Sequence, residues 1–195
     1  MERSISFQKG DFYHVYNRGV NKDTIFFRDS DNQQFQRLLY VKNSSKRIDT
    51  SRVKGVPLHK IERGETLVDI LAYCLMPNHF HIMLHEKEEG GISKFMGKLS
   101  TAYSMYINTK YKRTGPLVCR PFRSKYVDND DYFKWVMSYI HANPIKLFTE
   151  SNSTQTLLTY PYSSYVDYKE QLREESLILN IDALPIELGE IENLT

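Results

Sequence analysis

The chain has 195 residues, of which 41% are hydrophobic and 26% charged, a balance that predicts one compact domain with an appendage, folding in water around a core. It contains no run of about 18 apolar residues, which excludes a membrane span. The opening residues lack the apolar segment of a signal peptide and the two cysteines form no C-x-x-C pair, so we expect a cytoplasmic protein with reduced thiols.

The net charge of +2 is divided unevenly along the chain. From Ser151 onward there are eight acidic and two basic side chains, so a tail at −6 leaves +8 on residues 1–150. The stretch 110–126 has interleaved aromatic rings and no acidic side chain, and its basic residues are Lys110, Lys112, Arg113, Arg120, Arg123 and Lys125. This pattern indicates contact with nucleic acid, but a solvated loop rich in lysine and arginine explains it equally well.

Taken in chain order, the first half of the sequence predicts a strand, a helix and a hairpin. Residues 11–17 alternate aromatic and polar side chains like a strand, and residues 30–43 follow a Ser/Asp cap with near-helical apolar spacing. A polar stretch over 44–66 is interpreted as a loop. The apolar run 66–76, a Pro-Asn turn and the segment HFHIMLHE then predict an antiparallel hairpin.

The second half predicts two helices and one more strand. Apolar residues between Ile92 and Ile107 recur at helical spacing, which predicts a helix of about 18 residues. The segment FRSKYV predicts a strand, and residues 129–142 predict a helix that ends before Pro144. The order β-α-β-β-α-β-α predicts an α+β fold, a ferredoxin-like or RRM-like antiparallel sheet with helices on one face and one additional helix.

The segment MPNHFHIMLHE, residues 76–86, holds three of the six histidines. Alternate residues of a strand share a face, so one face would carry the apolar residues Phe80, Ile82 and Leu84. The other face would carry His79, His81, Met83 and His85. Two imidazoles at i and i+2 lie roughly 6.5 Å apart and could share a metal ion, but a half-exposed strand that uses histidine as a polar residue explains the same pattern.

The helix DYFKWVMSYIHANPIK, residues 131–146, adds further candidate groups. Tyr139 and Asn143 are i and i+4 and therefore share one face, beside an apolar stripe. If that face lies over the histidines, a phenol, an amide oxygen and two imidazoles converge, which suits metal-assisted phosphoryl transfer with a tyrosinate nucleophile. Spacing alone does not select Tyr139 over Tyr103 or Tyr106, and a core tyrosine is the plain alternative.

Four segments, in this order, resemble the single-tyrosine HUH transposases. That family includes insertion-sequence enzymes and their domesticated relatives, the repetitive-extragenic-palindrome (REP) associated tyrosine transposases. The segments are YHVYNRGVNKDTIFF, YCLMPNHFHIMLHE, RTGPLVCRPFRSKYV and YIHANPIK, within about residues 8 to 148. His79-Phe80-His81 matches the His-hydrophobic-His signature, Tyr139 falls at the nucleophile, and Asn143 falls where relatives place an Asn or Gln that completes the metal site.

The resemblance implies a metal-dependent single-strand DNA endonuclease and strand transferase. Tyr139 would form a 5′-phosphotyrosine link and release a 3′-OH, while Mg²⁺ or Mn²⁺ would be held by His79, His81 and Asn143. The partners would be hairpin or single-stranded DNA, bound by a monomer or a homodimer, with no membrane and no nucleotide cofactor. The expected phosphate contacts are Arg18, Lys110, Lys112, Arg113, Arg120, Arg123 and Lys125. His85 would be a bystander.

The resemblance thins after Leu147, so the sequence predicts a transposase or nuclease domain over 1–148 and an acidic C-terminal extension over 149–195. The extension could pack beside the basic stretch or restrain access to it. Two other functions stay open. One is a domesticated, non-catalytic hairpin-DNA-binding protein; the other is an RNA-binding ferredoxin-like module, which the lack of an RNP-type aromatic strand disfavours.

Overall fold

The computed structural model describes residues 6–148, 153–170 and 173–185. Its centre is an antiparallel sheet of four strands in the order β2-β3-β1-β4. The strands are β1 (Phe12–Arg18), β2 (Asp69–Met76), β3 (His79–His85) and β4 (Arg123–Val127). β2 and β3 form the predicted hairpin, whereas β1 lies between β3 and β4, so strands distant in sequence meet at the middle of the sheet.

Two helices, α1 (Asp29–Lys42) and α2 (Gly91–Tyr111), cover one face of this sheet. Their apolar side chains form a core with Phe80, Ile82 and Leu84, so that face of β3 is apolar as its alternation predicted. A Cβ at Gly91 would overlap the carbonyl oxygen of Leu67, so glycine allows α2 to begin close to the backbone of Leu67. Among the described residues, no helix is both long and apolar enough to cross a membrane.

A third helix, α3 (Asp130–Ala142), lies on the opposite face. Asn129 caps this helix, because its side-chain oxygen accepts a 2.8 Å hydrogen bond from the backbone N–H of Tyr132. A second core joins this helix to the sheet through Leu71, Cys74, Met83, Phe133, Val136, Met137 and Ile140. The predicted α+β class is confirmed, with two helices on one face and the additional helix, which carries Tyr139, on the other.

Short elements complete the described chain. They are the 3-10 turns Val20–Lys22, Leu58–Lys60, Asn143–Leu147, Glu174–Ile178 and Ile181–Ala183, and the helices α4 (Ser153–Thr159) and α5 (Tyr165–Glu170). Both cysteines are free thiols; Cys74 is buried in the second core and Cys119 is half-buried.

The described part of the C-terminal extension covers the edge of β2. The backbone N–H of Leu75 donates to the carbonyl of Tyr162, and that of Ser164 donates to the carbonyl of Tyr73, each at 2.9 Å. Because these bonds satisfy strand groups that would otherwise be unpaired, the extension protects the edge as an added strand would.

A buried ion pair holds the extension together. Both carboxylate oxygens of Asp167, which is fully buried, accept hydrogen bonds from Arg173, at 2.5 and 2.7 Å. This part of the chain lies at the β2 edge, and the basic strand β4 forms the other edge. The described residues of the extension therefore lie at the opposite edge of the sheet from the basic side chains of β4. The wider hypothesis, that the extension packs beside the basic stretch 110–126 or restrains access to it, stays a prediction; residues 149–152, 171–172 and 186–195 lie outside the described residues. The domain boundary near 148 stays a prediction.

Candidate active site

Strand pairing places the two signature histidines beside side chains of β1. Arg18 pairs with His79 and Tyr16 pairs with His81, and on its other side Tyr16 pairs with Arg123 of β4. Directly paired residues of an antiparallel sheet project from the same face. The register therefore sets His81, Tyr16 and Arg123 in a row across three strands, on the face that α3 partly covers.

The imidazoles of His79 and His81 are neighbours, with ring centroids 5.1 Å apart. Nδ1 of His79 lies 2.7 Å from Oδ1 of Asn78. Because an amide oxygen only accepts, His79 donates from Nδ1 and keeps a lone pair on Nε2. His81 is 5% exposed, and its Nδ1 lies 2.8 Å from Nε2 of His14. When His81 donates in this pair, its own Nε2 is also available to a cation.

His14 is a site residue that sequence reasoning missed. It is buried in β1, and its ring lies 5.0 Å from that of His81 and 5.9 Å from that of Tyr139. In the sequence it is one polar residue in an aromatic-polar alternation, and no spacing rule connects it to a histidine 67 positions later. Only the pairing of β1 with β3 brings the two rings together.

Burial lowers the pKa of all three imidazoles. The pKa of His81 falls to about 2, through burial first and then through repulsion from His14, His79 and Lys146. Burial, with a smaller effect of Lys125, lowers the pKa of His14 to about 4. The pKa of His79 is lowered in the same direction, again mainly by burial. All three rings are therefore neutral near neutral pH, and neutral imidazole is the form that binds metal ions.

Helix α3 carries Tyr139 to the histidines. Its half-buried ring meets His81 edge-on, with centroids 5.3 Å apart and an interplanar angle of 86°. Tyr103 and Tyr106, the alternatives that spacing left open, are both on α2 and pack with the core of the other face. Of these three tyrosines, only Tyr139 lies on the histidine face. Its role as the nucleophile stays a prediction.

Asn143 lies one turn after Tyr139, at the end of α3. It is 1% exposed, and its Nδ2 donates a 2.7 Å hydrogen bond to the carbonyl of Tyr139. Its Oδ1 accepts a 3.2 Å hydrogen bond from Nζ of Lys146, which also lies 4.7 Å from the centre of the Tyr139 ring. Lys146 is the second residue that sequence reasoning missed. Its ammonium places a positive charge among the tyrosine, the amide and the histidines.

These donors fit a divalent cation. Two neutral imidazoles, through their Nε2 atoms, and one amide oxygen would supply three ligands to Mg²⁺ or Mn²⁺. The remaining coordination positions of the ion would be left to water and phosphate oxygens. Among the described residues, no group of three or more His, Cys, Asp or Glu side chains could hold a metal ion. A metal bound here would therefore depend on the amide and on substrate oxygens as well as on His79 and His81.

Four of the seven predicted DNA contacts lie near this face. Arg18, Arg123 and Lys125 are exposed, and Lys125 pairs with His14 as Arg123 pairs with Tyr16. Arg120 is also exposed, and its neighbour Cys119 donates a 2.9 Å backbone hydrogen bond to the carbonyl of Arg18. Four basic residues therefore lie near the end of β1 at which Tyr16 and Arg18 pair with His81 and His79.

The other three predicted contacts, Lys110, Lys112 and Arg113, lie at the end of α2, which packs on the opposite face. Nζ of Lys110 lies 2.6 Å from Oδ1 of buried Asp31. Burial opposes the ionisation of Asp31, but hydrogen bonds from Lys110 and Tyr111 outweigh it and hold the pKa of Asp31 below its ordinary value. This ion pair argues against a DNA contact by Lys110; the DNA-binding role of every one of the seven stays a prediction.

His85 has a different environment from the other two histidines of β3. Its Nδ1 lies 2.8 Å from Oδ2 of Asp69, and its ring stacks on Phe12 with centroids 4.8 Å apart. These contacts anchor the far end of the strand, which supports its interpretation as a bystander.

Comparison with known proteins agrees with this geometry. The family described as "Transposase IS200 like" matches residues 32–143, more than half of the chain, and that range includes both signature histidines, Tyr139 and Asn143. The chain belongs to this transposase family. This membership confirms the resemblance to the single-tyrosine HUH transposases.

A solved structure described as a REP-associated tyrosine transposase bound to a REP hairpin shares the fold of this transposase. The two chains are 12% identical with a TM-score of 0.52, and the match covers 96% of this chain and 95% of the other. No curated protein matches the chain. The structural match covers more of the chain than the family segment 32–143 does.

Proposed function

We propose that this transposase is a metal-dependent single-stranded DNA endonuclease and strand transferase that recognises DNA hairpins. The observation that carries the proposal is the position of Tyr139, edge-on to His81 and beside the ammonium of Lys146. A phenol so placed lies close both to a potential cation site and to the positive charge of Lys146. We further propose that residues 1–148 form the catalytic domain and that the described part of the extension 149–195 supports it from the β2 edge.

In the proposed reaction, the Tyr139 oxygen forms a bond to the phosphorus of a DNA phosphodiester. The bond between phosphorus and the leaving O3′ breaks, the phenolic proton is lost, and O3′ takes up a proton to leave as a 3′-hydroxyl. The 5′ side stays linked as a phosphotyrosine, and a 3′-hydroxyl can reverse the step to join strands. A divalent ion, when bound, polarises the phosphate and stabilises the charge that develops on its oxygens.

The chain's own residues prepare this step. His79 and His81 hold their Nε2 atoms ready through hydrogen bonds on their Nδ1 atoms, and this fixed orientation lowers the cost of binding the ion. The Lys146 ammonium lies 4.7 Å from the centre of the phenol ring, where its positive charge would attract the phosphate that Tyr139 attacks. The exposed cations Arg18, Arg123 and Lys125 attract the DNA backbone.

A covalent-adduct assay tests the nucleophile. A DNA hairpin with a single-stranded flank is incubated with the protein and Mn²⁺, and adducts that survive denaturation are counted by gel shift. We expect adducts with wild type, none with Tyr139→Phe, and adducts with the control Tyr132→Phe, which alters a tyrosine two turns earlier on α3. Equal adduct yields for wild type and Tyr139→Phe would refute the assignment.

A second experiment tests the metal ligands separately from DNA recognition. The double variant His79→Ala/His81→Ala should lose cleavage but keep most of its hairpin affinity, since the phosphate contacts lie on other residues. His85→Gln is the matched control and should cleave normally, because His85 contacts Asp69 instead of the site. A double variant that cleaves like wild type would remove the metal role.

One observation favours a second candidate, a non-catalytic hairpin-DNA-binding protein. Lys146 donates to Oδ1 of Asn143, the oxygen that a metal ion would need. In a protein without metal, this ammonium would supply the positive charge of the site by itself. The same assays separate the candidates, because a pure binder would retain hairpin DNA yet form no adduct with any divalent ion.

A further inference from the structure

Three aromatic rings form a ladder along the outer side of α3. Trp135 stacks on Tyr139 with centroids 5.3 Å apart and an interplanar angle of 11°, and it stacks on Tyr132 at 5.8 Å and 14°. The separations are too long for full overlap of parallel rings, so the rings are offset and part of each face stays open. The ladder therefore connects the exposed ring of Trp135 with the ring of Tyr139, the proposed nucleophile.

Trp135 is the exposed member of this ladder. It is 57% exposed, whereas the second core includes both tyrosines as partly buried neighbours and does not include Trp135. It is also the only tryptophan of the chain. An exposed tryptophan that no core contact requires, stacked directly on the proposed nucleophile, is positioned to contact what the nucleophile attacks.

Charge changes sign along the ladder. At the Tyr139 end lie Lys146, 4.7 Å from the phenol ring, and Lys125, whose charge acts on His14 beside it. At the Tyr132 end lie the exposed carboxylates of Asp130 and Asp131. A phosphate chain is attracted to the Tyr139 end, which would bring a base of a bound strand to the ladder at Trp135.

We propose that Trp135 is a stacking platform for one unpaired nucleobase, that of a nucleotide adjacent to the phosphate that Tyr139 attacks. Every base has a flat π-face, so the contact holds the strand without reading its sequence. The stacked base fixes the neighbouring phosphate in front of the phenol. This inference rests on the proposed function, since it takes single-stranded DNA as the ligand.

The single tryptophan allows a direct test. Trp135 emission is measured in the Tyr139→Phe variant, which keeps an aromatic ring in the ladder and cannot form the adduct. One probe is oligothymidylate, and the other is an abasic oligomer with the same number of phosphates, at the same salt concentration. We expect quenching by oligothymidylate and none by the abasic strand. Equal quenching by both probes would show that phosphates alone affect Trp135, and would overturn the proposal.

Affinity for labelled strands gives the second readout, by fluorescence anisotropy. Trp135→Ala should lose roughly 5- to 150-fold in affinity for oligothymidylate, the range for one stacked base, with no change for the abasic strand. Trp135→Phe should restore most of the loss, and Trp135→Leu should not. Met105→Ala, a change at a residue 65% exposed on α2, is the matched control and should have no effect. Wild-type affinity in Trp135→Ala would overturn the proposal.

The remaining outcomes separate this inference from the proposed function. If wild type forms the tyrosine adduct but Trp135 is neither quenched nor required, the nuclease assignment stands and the platform is wrong. If base-dependent quenching occurs without any adduct, the platform stands and the nuclease assignment is wrong. If sedimentation shows a dimer that shields Trp135 without DNA, a second copy occupies the ladder and the proposal is wrong.

Discussion

Replacement of His14 by phenylalanine should weaken metal binding at the proposed site of His79 and His81, of which His14 is not itself a ligand. When His81 Nδ1 is the donor in its 2.8 Å hydrogen bond with His14 Nε2, the bond favours the state of His81 in which Nε2 has a lone pair. Phenylalanine fills a similar volume but accepts no hydrogen bond. His81 then either carries its proton on Nε2, which blocks the cation, or keeps it on Nδ1, where the donor has lost its buried partner.

The structure sets the magnitude of this effect. Both rings are at least 95% buried, so water does not replace the lost bond. An unpaired buried donor costs about 1–3 kcal/mol. At about 1.4 kcal/mol for each tenfold change, that cost corresponds to a loss of roughly 5- to 150-fold in metal affinity. Loss of a partner of a metal-binding histidine typically costs about 10- to 100-fold, which agrees.

Isothermal titration of Mn²⁺ into the protein without DNA measures the effect apart from any catalytic step. We expect the loss for His14→Phe and a partial recovery for His14→Gln, whose amide oxygen can accept the bond. His85→Gln is the matched control, because His85 lies on the same face of β3 but contacts Asp69. Unchanged Mn²⁺ affinity in His14→Phe, or an equal loss in His85→Gln, would refute the reasoning.

Two further predictions concern the ion pairs. Lys110→Met should lower the free energy of unfolding by about 2 kcal/mol, measured by denaturant titration, because buried Asp31 loses its partner. It should change hairpin affinity, measured by fluorescence anisotropy, only little. Since the pKa of Asp31 lies below its ordinary value, the stabilisation by the Asp31–Lys110 pair is present at neutral pH and is lost as the pH falls below about 4. The free energy of unfolding should therefore decline less with acid in Lys110→Met than in wild type. Arg173→Met should cost about 3–5 kcal/mol by stranding Asp167, whereas Arg52→Met, at an exposed pair, should not shift the melting temperature measurably. Equal melting temperatures for Lys110→Met and Arg52→Met would contradict the argument that a buried ion pair contributes more to stability than an exposed one.

The local elements were predictable from the sequence, because their signals lie within single segments. The cap at Asn129 and the apolar stripe of α3 predicted a helix over 129–142, and the structure has Asp130–Ala142. The alternation in HFHIMLHE predicted which side chains of β3 face the first core. That same pattern suggested a polar second face, yet Met83 is buried there because α3 packs over it.

The site itself was only partly predictable, because its completion depends on pairing between distant strands. The sequence suggested the imidazoles of His79 and His81 and, through the family resemblance, the phenol of Tyr139. It did not single out His14 or Lys146, although both lie in segments that carry the resemblance, since neither fits a motif that points to metal or phosphate chemistry. Sequence proximity also grouped Lys110 with Lys125, although the sheet separates them onto opposite faces.

The uneven cover of the sheet explains how one face serves both stability and chemistry. α3 packs over β2 and β3, where Met83 and Cys74 continue its apolar core, and it also contacts one end of β1 and β4 through Phe12 and Val127. Further along these two strands lie Tyr16 and the exposed side chains of Arg123 and Lys125, which form the more open half of the face. A DNA strand drawn to these cations would reach the edge of α3 at the border between the halves. His81 and Tyr139 meet at that border, where a substrate has access and the imidazoles are already desolvated.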